Sequence, residues 1–346
     1  MDYLIMFVII AILVFLITYK AKYYEDGNVT FFDFDNTKAM RGIWSLVVIL
    51  VHIPDIYQNP IQDMIGSFAY VGVTFFFMTS AYGLIGGVYK NPNSINMFWR
   101  KRLPKLIIPN YLINIVFALF VVICGEAYDI RNIFYLNGWV IWLLGCYVVF
   151  WISCKLNRKE RNNICTISGS ICIISLLIYC LRNVGIINTS TWCPEVIGFI
   201  WGILLCSKKG EIKSFMTQKW KSKVFISMFV SLVLGVCYLK FKYITFWGDY
   251  ILKILLGLAI LCFILVLNSK IQIGNAIVGF LGDISYEIYL LHSFVFQIVS
   301  AIVPKVSSGY FILISIVLTI LISAIIHTVC QICFEKINAL MNKKYN

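Results

Sequence analysis

Long apolar runs separated by short polar segments dominate the chain from end to end. Eleven of these runs are long enough to cross a bilayer, which takes about 20 mainly apolar residues in a helix. They lie at 3–19, 38–57, 67–89, 106–124, 138–154, 164–181, 191–206, 224–240, 249–268, 282–303 and 309–333. The pattern predicts an all-α protein, a polytopic transmembrane helix bundle of about 11 helices.

The basic residues indicate how this bundle is oriented. Only 13% of the residues are charged and 60% are hydrophobic, so any chemistry must lie inside the bundle or at its ends. If the N-terminus is outside, 23 of the 29 Lys and Arg residues fall in inner loops and five in outer loops. The positive-inside rule therefore predicts an outer N-terminus and a cytoplasmic C-terminus. The net charge of +13 then reflects topology and indicates no nucleic-acid partner.

The cysteines and the first apolar run indicate neither cross-links nor processing. The 12 cysteines are scattered mostly within apolar runs, so we expect free thiols, without disulfides and without a metal. Cys330 and Cys333, three residues apart, fit helix packing better than metal binding. The run from Tyr3 to Tyr19 is followed, not preceded, by lysines, which is the reverse of a secretory signal, and it should remain as a helix.

The run RGIWSLVVILVH, residues 41–52, carries an ionisable residue at each end. On an α-helix these two side chains share a face about 16 Å apart, roughly half the thickness of a bilayer. Arg41 would lie toward the cytoplasm and His52 near the outer end, where Pro54 stops the helix. One interpretation is a functional site, because ionisable groups inside a membrane are costly. The other is an arginine anchored at the headgroups and a histidine in the opposite interface.

A second polar stripe lies in the tenth run. Ser285, Tyr289 and His292 follow helical spacing and share one face. Such a stripe normally faces the bundle interior or a cavity, and interhelical hydrogen bonding is the alternative. The third histidine, His327, is interpreted as a packing or interhelical residue.

Two other features have both structural and functional interpretations. Glu195 lies at the outer end of the seventh run, where it would either orient an acceptor hydroxyl or sit among lipid headgroups, and its position favours the headgroups. Ser80, Gly83 and Gly87 recur at helical spacing in the third run. Small residues at this spacing typically let helices approach each other closely, so we expect a close-packing face there.

Four segments, taken in order, resemble the membrane-bound acyltransferase 3 family, which O-acylates cell-surface glycans. The first two are RGIWSLVVILVH (41–52), similar to the family's pattern of Arg, ten residues and His, and YVGVTFFFMTSAYGL (70–84), similar to its Gly-Val, double Phe and Ser-Gly-Tyr. The third, FWRKRLPKLIIPNYL (98–112), is similar to the family's basic cytoplasmic loop that runs into a proline-initiated helix. The last, LGDISYEIYLLH (281–292), is similar to its ending of Leu-Gly, Ile-Ser-Tyr, Tyr-Leu and His. The chain departs from the family pattern at Thr74, Ala81 and Lys105, where an acidic residue, a glycine and an arginine are usual.

The resemblance implies an integral membrane O-acyltransferase of the bacterial cytoplasmic membrane. It would transfer an acyl group, expected to be acetyl, from cytoplasmic acyl-CoA to a hydroxyl of a cell-surface polysaccharide or lipid-linked glycan. His52 is then the expected general base or acyl carrier, with Arg41 as its catalytic companion. The remaining assignments are Arg41, Arg100, Arg102 and Lys105 for binding acyl-CoA, and Ser285, Tyr289, His292, Glu195 and Ser80 for the cavity or the acceptor side.

The acyltransferase-like part is expected to span residues 38–346, with residues 1–37 as an additional N-terminal transmembrane helix and cytoplasmic loop. A separate extracytoplasmic transferase is an expected partner if the membrane domain does not complete glycan transfer itself. The alternative function is a transporter or flippase of a small molecule or glycan intermediate, which would tolerate glutamine in place of His52. A polysaccharide polymerase ranks last, because the predicted outer loops are short.

Overall fold

The fold is a bundle of α-helices, known from a computed structural model that describes residues 2–156, 160–187 and 192–343. In chain order the helices are α1 (Asp2–Thr18), α2 (Phe34–Val51), α3 (Pro60–Gly66), α4 (Tyr70–Lys90), α5 (Phe98–Ile123), α6 (Gly138–Leu156), α7 (Glu160–Asn183), α8 (Ile197–Ser207), α9 (Lys209–Thr217), α10 (Trp220–Phe241), α11 (Lys253–Asn268), α12 (Ala276–Asp283), α13 (Ser285–Ile302) and α14 (Ser308–Lys343). Two short strands, β1 (Lys22–Tyr23) and β2 (Ile271–Gln272), pair in antiparallel fashion.

Each of the predicted apolar runs coincides with one of these helices, which confirms an all-α, multi-pass bundle. Within the described residues, eight helical segments are long and apolar enough to cross a membrane, and α1 and α8 are shorter apolar helices. α2, which carries the charged residues Asp35, Lys38 and Arg41, is not one of the eight. The orientation of the bundle stays a prediction, and three of the basic residues that support it, Arg158, Lys159 and Lys344, lie outside the described residues.

The first helix is tied to the rest of the bundle at both ends. At the start of α1 the Asp2 carboxylate accepts hydrogen bonds from the Ser307 hydroxyl (2.7 Å) and the Gly309 amide (3.1 Å). At its end the side-chain amide of Asn275 donates to the carbonyl oxygen of Leu16 (2.9 Å). Each contact joins segments that the predicted topology puts on the same side of the membrane. α1 is therefore an integral part of the bundle.

The basic segment before the fourth predicted span is helical. α5 begins at Phe98 and contains both Pro104 and Pro109, so the expectation of a basic loop followed by a proline-initiated helix is wrong. Arg102 and Lys105, three residues apart, consequently lie on the same face of one helix. Helix geometry, not a flexible loop, positions these two cations.

Glycines on α8 bring that helix into close contact with α4. A Cβ atom added at Gly198 would overlap the carbonyl oxygen of Thr74, and one added at Gly202 would overlap the carbonyl oxygen of Met78. Only a residue without a side chain fits at either position. This contact fixes the distance between α4 and α8.

The prediction of a close-packing face on α4 is wrong. A Cβ atom added at Gly83 or Gly87 would meet nothing within 4 Å. Ser80 contacts α6 through its hydroxyl, which lies 2.9 Å from the hydroxyl of Tyr147. The small residues of this face leave space for a cavity and do not bring two helices together.

Candidate functional site

A cavity of about 840 Å³ lies between α2, α4, α5, α6 and α13. Lys90, Arg102, Lys105 and Lys209 line it where α4 ends and where α5 and α9 begin. We call this end of the molecule the basic end, and the predicted topology makes it cytoplasmic. The opposite end of the bundle, where α2 stops at His52, is called the histidine end.

The electrostatic character of the cavity favours an anionic ligand. Its cationic residues are Arg41, Lys90, Arg102, Lys105 and Lys209, and its one carboxylate is that of Asp33. Burial lowers the pKa of Lys209 below its ordinary value, although Asp33 opposes this shift. The Lys209 ammonium also lies 5.8 Å from the centroid of the Tyr82 ring. A bound anion would stabilise the protonated form of Lys209, so the site suits a negatively charged ligand.

Arg41 lines the middle of the site from α2. Its Nε is buried and has no hydrogen-bond partner among the described residues. The neighbouring wall is held by α13, because the Ser285 hydroxyl donates to the Gly282 carbonyl (2.8 Å) and the Tyr286 hydroxyl donates to the Leu106 carbonyl (2.8 Å). A guanidinium can only donate hydrogen bonds, so an acceptor group on a ligand would satisfy it.

The inner end of the cavity is aromatic. The Tyr289 ring lies 5.0 Å from that of Trp139 and 6.3 Å from that of Phe76, measured between ring centroids. The Trp139 Nε1 is buried and has no partner in the described part of the chain. An indole N–H can only donate, so it suits a carbonyl oxygen of a ligand. The inner end therefore fits an uncharged part of a molecule whose charged part remains at the basic end.

Two histidines lie beyond this inner end. His292, one turn after Tyr289 on α13, is 4% exposed, and its ring centroid lies 5.9 Å from that of Tyr289. The centroids of the His292 and His52 rings are only 4.7 Å apart, and His52 itself is exposed at the histidine end. Tyr289, His292 and His52 thus form a line of side chains from the cavity to the opposite end of the bundle.

The hydrogen bonds of the two imidazoles determine which nitrogen carries the proton. Nδ1 of His52 lies 3.0 Å from the carbonyl oxygen of Val48, and Nδ1 of His292 lies 3.3 Å from that of Ile288. A carbonyl oxygen can only accept, so in each neutral ring Nδ1 carries the hydrogen and Nε2 keeps its lone pair. Both rings therefore offer a basic nitrogen. That of His292 is buried and unpaired within the described residues.

The end of α2 holds His52 in place. The His52 amide donates to the carbonyl of Ile49 (3.2 Å), and the side chain of Gln62 donates to the carbonyl of Leu50 (2.5 Å). These bonds satisfy carbonyls that a helix end leaves without partners. Pro54 then prevents the helix from continuing. The local sequence therefore places an imidazole at a fixed helix terminus.

The structure brings most of the predicted site residues to one place. Those that line the cavity are Arg41, Ser80, Arg102, Lys105, Ser285 and Tyr289, and His292 and His52 follow beyond its inner end. Arg100 and Glu195 are not among the lining residues. Arg100 precedes Arg102 by two positions and so lies away from the face that Arg102 and Lys105 share.

The lining residues that the sequence did not assign to a site include two lysines and two aromatic residues with polar groups, namely Lys90, Lys209, Trp139 and Tyr147. Both lysines belong to the inner loops on which the predicted topology rests. Trp139 and Tyr147 lie in an apolar helix, where aromatic residues usually belong to the core. The sequence contains one signal for the lysines. Several inner cations lie close to the ends of spans, and cations in such positions can converge on the mouth of one cavity.

Glu195 is not at the headgroups, so that interpretation is wrong. Its side chain is 4% exposed, and its Oε1 lies 2.6 Å from Nζ of Lys253. Lys253 lies within the apolar run 249–268, and this position could have indicated a buried acidic partner. The pair joins the start of α8 to the start of α11.

Replacing Glu195 with alanine is expected to destabilise the bundle by about 3–5 kcal/mol, because it leaves the Lys253 ammonium buried without a counter-charge. Thermal unfolding of the purified protein in detergent measures the effect. The double variant Glu195→Ala, Lys253→Met removes both charges and should recover most of the lost stability. A single variant as stable as the wild type would contradict the assignment of a buried ion pair.

The third histidine pairs across two helices. Nδ1 of His327 lies 2.9 Å from Oε1 of Glu287 on α13, which confirms the interhelical interpretation. The sequence could not identify this partner, because it lies on a different helix. In the part of the chain described, no group of three or more His, Cys, Asp or Glu side chains could hold a metal ion.

Residues 29–328 match the family model described as "Acyltransferase domain". The match covers nearly the whole chain, includes all four segments on which the family resemblance was based, and begins before the predicted boundary at residue 38. No curated protein and no solved structure matches the chain.

Proposed function

Because the chain belongs to the acyltransferase family whose model covers residues 29–328, we propose that this membrane acyltransferase receives its donor and its acceptor from opposite ends of the bundle. The donor is acyl-CoA, which enters the cavity from the cytoplasm. The acyl group, acetyl in the simplest case, passes to a hydroxyl of a cell-surface polysaccharide or lipid-linked glycan at the histidine end. The protein then works in the bacterial cytoplasmic membrane, with a separate extracytoplasmic transferase as partner where the final acceptor is out of reach.

The gradation of the cavity from basic to aromatic supports an acyl-CoA donor. CoA carries its phosphates at one end and its thioester at the other end of a long flexible arm. Arg102 and Lys105 suit the phosphates at the basic end, the arginine as a bidentate donor and the lysine as a point charge. Tyr289 and Trp139 provide an uncharged inner end for the thioester. This gradation, leading toward a histidine with a basic nitrogen, is the observation that carries the proposal.

His52 is suited to act as the general base of the transfer. Its Nε2 can accept the proton of an acceptor hydroxyl while the hydroxyl oxygen bonds to the thioester carbonyl carbon. The carbon–sulfur bond then breaks, and CoA leaves as the thiol once its sulfur gains a proton. The unpartnered N–H of Trp139 is a candidate donor to the carbonyl oxygen, on which negative charge develops.

Replacing Arg102 or Lys105 with alanine is expected to weaken acyl-CoA binding about tenfold for each residue, because each removes a charge-assisted contact to phosphate. The loss should shrink as the salt concentration rises. Isothermal titration of CoA into the protein in nanodiscs measures it. Arg100→Ala is the matched control on the same helix and should bind CoA normally, because Arg100 does not line the cavity. Equal losses in all three variants would contradict the assigned subsite.

Radiolabelled acetyl-CoA tests the proposed function directly. Inverted membrane vesicles that contain the protein should move the label into an alkali-labile ester of endogenous glycan, and His52→Gln vesicles should not. Free CoA should appear in step with the ester. A stably folded wild type that neither binds CoA nor transfers label would overturn the proposal and favour a transporter.

A further inference from the structure

Acyl transfer between the two ends of the bundle creates two charges that the protein interior does not tolerate. Under the proposed function, an imidazolium forms at His52 when it takes the acceptor proton. A thiolate forms at the inner end of the cavity, near Tyr289, when the carbon–sulfur bond breaks. Unpaired charges are costly away from water. Moving a single proton from His52 to the sulfur would remove both charges.

We infer that His292 carries this proton from His52 to the cavity, with the hydroxyl of Tyr289 as the last donor to the departing sulfur. The inference rests on the proposed function and assigns roles to two further residues. The His292 ring contacts both neighbours, with ring centroids 4.7 Å from His52 and 5.9 Å from Tyr289. Tyr289 in turn lines the cavity. The three rings therefore lie in a row between the histidine end and the donor site.

The unpaired nitrogen of His292 supports this role. Nearly all buried polar atoms in proteins have a hydrogen-bond partner, so an exception needs an explanation. Nε2 of His292 is buried and has no partner among the described residues, while Nδ1 faces the carbonyl of Ile288. Nε2 is therefore free to accept a proton in the neutral ring. Tyr289, 5% exposed, can accept a proton and donate another at the same time.

The surroundings of His292 favour a transient charge over a permanent one. No carboxylate contacts the His52 or His292 ring in the described ranges. Among the charged groups on the helices packed against α13, Lys38 pairs with Asp283 and His327 pairs with Glu287, whereas Arg41, Arg102 and Lys105 line the cavity. A proton that stopped at His292 would have no counter-charge, so it is driven on to the thiolate.

The step balances in atoms and charge. The acceptor O–H bond and the carbon–sulfur bond break, while a carbon–oxygen bond and an S–H bond form. His52 Nε2 receives the acceptor proton and passes it to Nε2 of His292. Tyr289 gives its hydroxyl proton to the sulfur and regains one from Nε2 of His292, whose ring turns toward the tyrosine while Nδ1 keeps its own hydrogen. The net change is alcohol plus thioester to ester plus thiol, and all three side chains return to their starting states.

Two donors with different leaving groups test this relay. His292→Gln keeps a polar side chain of similar size but cannot carry a proton. With acetyl-CoA, whose thiolate needs protonation, we expect kcat to fall about 100-fold with unchanged CoA binding. With the acetyl thioester of thiophenol, whose thiolate is stable without a proton, we expect a loss of less than about threefold. His327→Gln, the matched histidine variant outside the line, should behave like the wild type with both donors.

Equal loss with both donors, or no loss with acetyl-CoA, would overturn the relay. If the wild type does not use the aryl thioester, the double variant His52→Gln, His292→Gln decides. Residues that act as one unit are not additive, so the double variant should be no slower with acetyl-CoA than the slower single variant. Multiplied losses would indicate independent roles and reject the relay. A wild type that transfers nothing from acetyl-CoA refutes the proposed function itself, which keeps the two failures distinct.

Discussion

Replacing His52 with glutamine is expected to lower acyl transfer by about 100- to 10,000-fold, the usual range for loss of a general base. Glutamine preserves the size of the side chain and can still hydrogen-bond at the end of α2, but it cannot take a proton. CoA binding should be unchanged, because the side chains proposed to bind the donor phosphates lie at the basic end, away from His52. Transfer of radiolabelled acetyl in vesicles and titration of CoA measure the two quantities separately.

His327→Gln controls for the general effect of removing an imidazole from the bundle. It should retain transfer, although loss of the contact with Glu287 will lower its stability. A His52→Gln protein that transfers acetyl at the wild-type rate would exclude His52 as base and as acyl carrier. That result is the one expected of a transporter, which needs polar helix faces but no chemically competent imidazole.

Replacing Gly202 with leucine is expected to prevent stable folding. The added Cβ atom would overlap the carbonyl oxygen of Met78, which belongs to the backbone of α4 and cannot rotate away. Forcing α8 and α4 apart should cost about 3 kcal/mol or more, because overpacking displaces the backbone as well as the side chains. Size-exclusion chromatography in detergent and thermal unfolding measure the yield of folded protein and its stability.

Gly87→Leu is the matched control for this substitution and tests the cavity at the same time. A Cβ atom at Gly87 meets nothing within 4 Å, and the residue lines the cavity. The variant should therefore fold, but the leucine should occupy space that the donor needs and so weaken CoA binding. Normal CoA binding by Gly87→Leu would contradict the assignment of this cavity to the donor, and a well-folded Gly202→Leu protein would contradict the close helix contact.

Under the proposed function, the cavity lets an acyl group cross the bundle while the rest of the donor does not. Phosphates are costly to desolvate, and the side chains suited to them, Arg102 and Lys105, lie at the basic end. The uncharged thioester can extend between Tyr289 and Trp139 at lower cost. Under the proposed function the acceptor hydroxyl approaches from the opposite end, where His52 is exposed.

Much of the architecture follows from the sequence, because each apolar run must satisfy its own backbone hydrogen bonds in a membrane and so forms a helix. The positions of the spans, and the choice of Arg41 and His52 as the ends of one helix face, required only the helical repeat. The spacing of Ser285, Tyr289 and His292 identified a second polar face in the same way. These are local properties, which do not depend on neighbouring helices.

The partners of these residues depend on which helices pack together, and local spacing contains no such information. The sequence could not indicate that His292 contacts His52, that Glu195 meets Lys253, or that Gly202 rather than Gly87 brings two helices together. Each of these contacts joins helices that are far apart in the chain. The sequence by itself determined the spans and the polar faces, and only the tertiary structure decided which faces meet, because side chains close in space here come from distant segments.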